Sequence, residues 1–569
     1  MRKVYLFGLV GFIICFWGLT QVFAANLCVN LTGAHGCYTT IQDAVDNANP
    51  EDVIWVEPGV YYENVHVTTA NLTIQGGTYA RKRSLFGGAN GATGWTLANP
   101  EQVVIDARPD EGCACTGPGV WIDGEGVLAR QNDGYGAENV TLRNLTVRHA
   151  CASEEHPYIG DNIYSTANGT TLDTVHSISS DYSGVYIEGD YATVQNCYFA
   201  ANFGAVGIAG DYATVQDNTM YNHHYGGAYI LGDDALVTRN TIDGIDAVGE
   251  ESAAIHIGYG DNAVVTYNTI KGVYGPGIII DEGNSCMVFH NEITSTCLGG
   301  IWLWGSNDCT VNQNTISLCQ YGIVVEGNEG EEGGNTISNN TLEGGIYGII
   351  VIENNPTVTG NTVDNYAEGI HIDCPDTCIG GTISNNQVER ATIMDTGFSL
   401  MVDNMTISNN VAEHNPGGGF YISGDNNTIQ NNSARYNGGK GIGGFYITGD
   451  GNAISNNLAE LNWNYGFYIY GNNTVTNNTA RNNYRTGICL DGPEGVDLTV
   501  DANIVTNNHG EGIANNALGG GTTVSITNNI ATGNRTDICN NGTIDVFTGN
   551  TYNTGGDTTP CCLEGAGGE

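Results

Sequence analysis

A unit of some twenty residues repeats along most of this chain, and no other feature restricts its fold so tightly. The segments GVYIEGDYATVQN (184–196), GAVGIAGDYATVQDN (204–218), GAYILGDDALVTRN (227–240), GIIIDEGNSCMVFHN (277–291) and GIWLWGSNDCTVNQN (300–314) align with one another. The series continues through GIVVEGNEG, GIIVIENNPTVTGN, GIHIDCPD, GFYISGDNNTIQNN, GFYITGDGNAISNN and GFYIYGNNTVTNN, with a commonest step of 21 to 23 residues. Self-similarity at such a period signals a solenoid. The apolar runs are short, β-branched and alternating, and Gly, Asp or Asn interrupts them, so each unit reads strand–turn–strand–turn. Helical periodicity of useful length is confined to Thr40–Ala48.

One such unit cannot close a core by itself, but stacked units bury a continuous column of Ile, Val and Leu. If successive coils are about 4.8 Å apart, equivalent residues stand one above another. Asn218, Asn240, Asn268, Asn291 and their successors through Asn457, Asn478, Asn508 and Asn529 then form a file of stacked amides. Asn tolerates the left-handed turn conformation and its amide can bond its own kind above and below. The same register places Cys286 over Cys309 and Cys297 over Cys319, so disulfides 286–309 and 297–319 are expected; Cys374–Cys378 would close a local loop, and Cys28–Cys37 would pin the N-terminal segment.

The chain has 569 residues and a formal net charge of -44, with only 17 Lys plus Arg. That absence of a basic footprint excludes nucleic acid as an expected partner. It also disfavours polyanionic glycans, which like charge repels. Arg2 and Lys3, the apolar run Val4–Leu19 and the small-residue site at Val22–Ala24 read as a secretory signal peptide over 1–24. Export to the cell exterior or surface, and no membrane span in the mature chain, are the expectations. The remaining organisation is an N-terminal cap with the first coils (25–77), early coils with long loop insertions (78–180), a regular parallel β-helix (181–550) and a tail (551–569).

The segment TTIQDAVDNANPEDVIWVEPGVYYENVHVTTANLTIQGG (39–77) resembles the N-terminal region of pectin-lyase-like β-helix proteins. In that superfamily a short amphipathic helix caps the first coil and a Pro-Gly-x-Tyr turn leads into strands. Ile41, Ala44, Val45 and Ala48 would make the helix face here, and Pro58-Gly59-Val60-Tyr61 the turn. The resemblance implies an all-β, right-handed parallel β-helix of about 22 residues per coil with a short N-terminal capping helix. It implies no particular activity, because one scaffold hosts many chemistries. The paired-aspartate motif of polygalacturonase-type hydrolases has only a partial echo at Gly232-Asp233-Asp234. The scattered Arg239, Lys271, Arg390, Arg435 and Lys440 offer no shared lyase-type base.

With Ile, Val and Leu inward, the alternate residues of the G-φ-x-φ-x-G strands form an outward ribbon. It carries Tyr186 and Glu188, Tyr229, His256, Asp281, Trp302 and Trp304, Glu326, His371 and Asp373, Tyr421, Tyr446, and Tyr468 with Tyr470. Aromatic rings and carboxylates on one flat sheet suit sugar rings, with apolar faces packing on π-systems and hydroxyls reaching acids. An extended, mostly neutral extracellular polysaccharide is the expected partner, with Trp302, Trp304, His256, His371, Tyr421, Tyr446 and Tyr468 as contacts. Asp281, Glu326 and Asp373 lie two coils apart, roughly 9–10 Å, near the upper spacing for an inverting glycosidase, and are the candidate catalytic carboxylates. No cofactor is expected, calcium at these carboxylates being the one alternative. The rival reading is a non-catalytic structural or adhesive cell-surface protein, in which stacked aromatics stabilise the sheet without a ligand.

Overall fold

A computed structural model describes residues 24–80, 94–108, 117–124, 136–151, 160–247, 249, 252–327, 333–374, 380–391, 396–438, 442–517 and 523–554. The signal-peptide expectation over 1–24, apart from Ala24, and most of the tail lie outside them. The described residues build a right-handed parallel β-helix in which most coils contribute three short strands, the last of one coil running on into the first of the next at Thr341–Ile352 and Thr362–Asp373. In one coil these are Gly299–Trp304, Thr310–Asn312 and Thr315–Ser317. The next coil repeats them in register: Ile301 pairs with Ile323, Val311 with Ile337 and Ile316 with Leu342. Below, the three sheets are called the G sheet (the G-φ-x-φ-x strands), the second sheet and the third sheet, in chain order.

At the N-terminus a helix, α1, spans Ile41–Asp46, shorter than the periodicity suggested. Thr40 caps it by accepting from the Asp43 N–H at 3.1 Å, and Ile41, Ala44 and Val45 turn into the first coil. Glu63 accepts from the free N–H groups of Ile41 and Gln42, which anchors the cap to the solenoid. Gly59, Val60 and Tyr61, expected in a turn, instead belong to a strand, Gly59–Tyr62, with Tyr61 buried and its hydroxyl donating to Glu57 O at 2.8 Å.

Like stacks on like throughout. Phe398, Phe420, Phe445 and Phe467 form an inward pile with ring centroids 4.6 to 4.7 Å apart. The Asn-Asn repeats divide two tasks. The first Asn, as at Asn385, Asn409 and Asn431, takes positive φ at the corner after the second sheet. The second turns inward and is buried, as Asn386, Asn410 and Asn432 are. Each such amide accepts from the Asn below and donates to the Asn above: Asn314 Nδ2 to Asn340 Oδ1 and Asn340 Nδ2 to Asn361 Oδ1, both 3.0 Å. The file runs Asn457, Asn478, Asn503, Asn529, Asn550, so the expected Asn508 is replaced by Asn503. Asn508 belongs to a second file at the next corner, with Asn415, Asn437, Asn462, Asn483 and Asn534. The step of five residues between the two corners makes the files easy to exchange on paper.

The cysteines confirm the stacking and correct the bonding. Cys28–Cys37 is a disulfide. Cys286 lies beside Cys309, its N–H 3.3 Å from the Cys309 sulfur, but both are buried free thiols instead of the expected bridge. The expected 297–319 bridge also fails, because the coil step there is 23: Cys319 stands above Thr296, which donates to its sulfur at 2.8 Å, while Cys297 points outward. Adjacent strand residues face opposite sides, so a one-residue slip separates the two sulfurs. Cys374 is disulfide-bonded; Cys378 lies outside the described residues.

Candidate functional site

The outward surface of the G sheet consists of two columns. The first runs Tyr164, Tyr186, Gly207, Tyr229, His256, Ile279, Trp302, Val324, Ile350, His371, Ser399, Tyr421, Tyr446, Tyr468. The second runs Gly258, Asp281, Trp304, Glu326, Ile352, Asp373, Met401. Trp304 therefore has Asp281 on the strand before it and Glu326 on the strand after. The two acids are two interstrand steps apart, about 9.5 Å. Asp373 is separated from Glu326 by Ile352 and lies two further steps away.

The two indoles have different surroundings. Trp304 is 45% exposed, and no aromatic ring packs on it among the described residues. Trp302 lies half-buried over Gly299, where an added Cβ would meet its Nε1 at 2.1 Å. Its ring meets Tyr321 edge-on at 6.4 Å, and its Nε1–H is buried with no acceptor among the described residues. A shallow cleft of about 180 Å³ is lined by Trp302, Leu303, Trp304, Val324 and Glu326.

The imidazoles stand back from the surface. His256 is only 7% exposed, packs edge-on against Tyr229 at 4.9 Å, and places Nε2 3.7 Å from Asp281 Oδ2. His256, expected as a substrate contact, thus lies mostly covered beside Asp281. His371 is half-buried, with Nδ1 3.1 Å from Glu368 Oε1, and that neighbouring carboxylate pushes the imidazole above its ordinary value.

The tyrosines also change role. Tyr446 is sandwiched in parallel between Tyr421 (centroids 5.6 Å, 12°) and Tyr468 (4.6 Å, 8°), so both of its faces are taken. The Tyr468 hydroxyl donates to Asp491 at 2.8 Å, and burial, together with that acid, pushes the phenol well above its ordinary range. Tyr468 also meets the Tyr465 ring at 5.6 Å and pairs with Cys489 on the next strand, whereas the strand before Tyr421 presents Ser399. Tyr446, expected as a substrate contact, therefore has a tyrosine stacked on each face.

The same column extends further toward the N-terminus than the repeat revealed. Trp121 pairs with Tyr164, and Tyr164 donates to Glu188 at 2.8 Å. Insertions between these coils hid the period, although Trp121 and Tyr164 sit in short alternating runs. The cations, by contrast, are occupied elsewhere: Arg239 binds Asp217 at 2.7 Å, Lys271 binds Asp243 at 3.2 Å, Arg390 binds Asp364, and Arg435 binds Glu460 at 2.8 Å. Lys440 is outside the described residues.

The family description "Right handed beta helix region" matches residues 204–363, 368–531 and 443–558. The chain belongs to the right-handed β-helix family. Similar solved structures include DFA-IIIase from Arthrobacter chlorophenolicus A6 in complex with GF2, at 16% identity over 62% of this chain and 87% of that one (TM-score 0.32). An alginate lyase in complex with a trisaccharide is 12% identical over 76% and 85% (TM-score 0.29), and XylC with xylose 10% over 68% and 84% (TM-score 0.31). At these levels the likeness is of fold and says nothing of what this chain binds. No curated protein matches the sequence. No described helix is long and apolar enough to cross a membrane.

Proposed function

We propose that the G sheet of this β-helix protein binds an extended, mostly neutral polysaccharide outside the cell, with Trp304 as the central contact. The observation that carries the reading is a half-exposed indole on which no ring packs among the described residues, one strand away from a carboxylate on either side. An indole of that kind presents an apolar face to a sugar ring, and Asp281 and Glu326 accept from its hydroxyls. The chain's charge of -44 favours a neutral ligand over an acidic one.

Hydrolysis is the further reading that the acid spacing favours. Carboxyl groups of inverting glycosidases stand about 6.5–9.5 Å apart, and side chains leaning together from two strand steps reach that range. In such a reaction one of Asp281 and Glu326 would protonate the leaving oxygen while the other activates water, with His256 orienting Asp281. Affinity electrophoresis against plant, algal and bacterial polysaccharides, run beside an assay for released reducing ends, tests both. Retention by at least one neutral polysaccharide is expected. Absence of retention across the panel removes the binding reading, and retention without released ends removes only the hydrolytic one.

A further inference from the structure

A second cleft lies on the third sheet near the N-terminal end, on a different side of the solenoid from Trp304. Val104, Thr146, His176 and Tyr198 stack in one of its columns, with Ile178 beside Arg148 in the next. Together with Glu101 they line a space of about 490 Å³.

The cation in this cleft is held from behind. Asp106 is fully buried and accepts from Arg148 Nε at 2.9 Å, from Arg108 Nε at 3.2 Å and from the backbone N–H of Arg108, with His149 Nδ1 3.1 Å away. Burial works against the Asp106 charge, but these bonds outweigh it and hold the carboxyl well below its ordinary range. Arg148 therefore has a fixed direction, and its terminal N–H groups have no acceptor among the described residues. In a chain with 17 Lys and Arg against 61 Asp and Glu, an arginine fixed by a buried acid with its fork left open is unusual. Tyr198 and His176 pack at 5.4 Å as an aromatic wall, and burial pushes the His176 imidazole below its ordinary value. Val104 supplies an apolar floor, and the buried Thr146 hydroxyl is spent on Pro100 O at 3.0 Å.

The geometry points to a binding site for a small ring compound bearing one carboxylate and at least one hydroxyl. The planar fork of Arg148 matches a carboxylate in two parallel hydrogen bonds, which a point charge would not select for. The ring lies against Tyr198, His176 and Val104. Glu101 accepts from a hydroxyl and repels a second negative charge, which limits the ligand to a monoanion. This site shares no residue with the Trp304 surface, so the two stand or fall separately.

Isothermal titration of the full chain with D-glucuronate and with 4-hydroxybenzoate, each beside its methyl ester, tests the assignment and tells a sugar acid from an aromatic one. At least one acid binds, and its ester binds at least tenfold more weakly. Arg148→Gln abolishes the heat, Arg148→Lys weakens it by keeping charge without the fork, and Tyr198→Ala weakens it at least threefold with an unchanged melting curve. No binding by either acid at millimolar concentration overturns the assignment. So does an ester that binds as tightly as its acid, or a Tyr198→Ala protein that binds like the parent.

Discussion

Replacing Asn361 by Ala removes one rung of the asparagine file, and the hydrogen bonds lost can be counted. Asn361 is 1% exposed. Its Nδ2 donates to Ile337 O at 2.9 Å and to Asn386 Oδ1 at 3.0 Å, and its Oδ1 accepts from the Asn340 N–H at 2.9 Å and from Asn340 Nδ2 at 3.0 Å. After truncation Asn340 Nδ2 still reaches Val311 O, and Asn386 Oδ1 still accepts from the Asn361 backbone. The Asn340 N–H is stranded, and Ile337 O loses a donor. One orphaned buried donor costs about 1–3 kcal/mol and the three further lost bonds about 0.5–1.5 kcal/mol each, so a total of about 2.5–7.5 kcal/mol is expected, felt within neighbouring coils. Hydrogen exchange read by mass spectrometry over residues 336–343 measures it, with the Asn340 amide exchanging at least tenfold faster. Parental protection at Asn340 together with an unchanged melting temperature would refute the ladder as a source of stability.

Three further outcomes are expected. If the Asp281 and Glu326 pair hydrolyses glycosidic bonds, Asp281→Asn and Glu326→Gln each lower reducing-end release by about 100-fold or more while Asp373→Asn, two further strand steps away, leaves most of it. Iodoacetamide applied to the folded protein labels exposed Cys297 and spares Cys197, Cys286, Cys309, Cys319 and Cys489, which react only on unfolding; burial pushes the Cys197 thiol up to about 12, and the Cys286 sulfur together with burial pushes Cys309 up as well. Glu353 is 3% exposed and burial, against an opposing bond from Asn335, pushes its carboxyl up from 4.5 to about 7. A raised carboxyl stabilises the fold below its unfolded value and loses that contribution as pH rises through 4.5 to 7, so Glu353→Gln flattens the melting curve over this window by up to about 3 kcal/mol; an unchanged pH profile contradicts it.

The coil was legible because the period is written in short-range chemistry. Gly opens each G strand, an Asn takes the left-handed corner, and the following Asn turns inward, so the text itself records the stacking. What the sequence could not convey was the phase at corners. Asn503 and Asn508 are chemically alike and five residues apart, and a step of 23 instead of 22 sets Cys319 over Thr296 and away from Cys297. The ribbon was legible as a list of outward residues but not as ring orientations. Strand alternation places Tyr446 and Trp304 equally outside, whereas their neighbours decide the outcome: tyrosines above and below Tyr446 cover both its faces, while acids beside Trp304 leave the indole open. The Arg148 cleft escaped notice because long insertions break the repeat where it forms.

The contrast between those two rings tests the functional account most directly. Affinity for the best-retained polysaccharide is measured on the parent, Trp304→Ala and Tyr446→Ala, with a melting curve for each. Trp304→Ala is expected to weaken binding at least tenfold, about 1.4 kcal/mol, and to leave the melting temperature in place. Tyr446→Ala is expected to lower the melting temperature and leave affinity within about twofold. Parental affinity in Trp304→Ala, or a larger loss in Tyr446→Ala, would contradict the assignment of the glycan surface to the open indole.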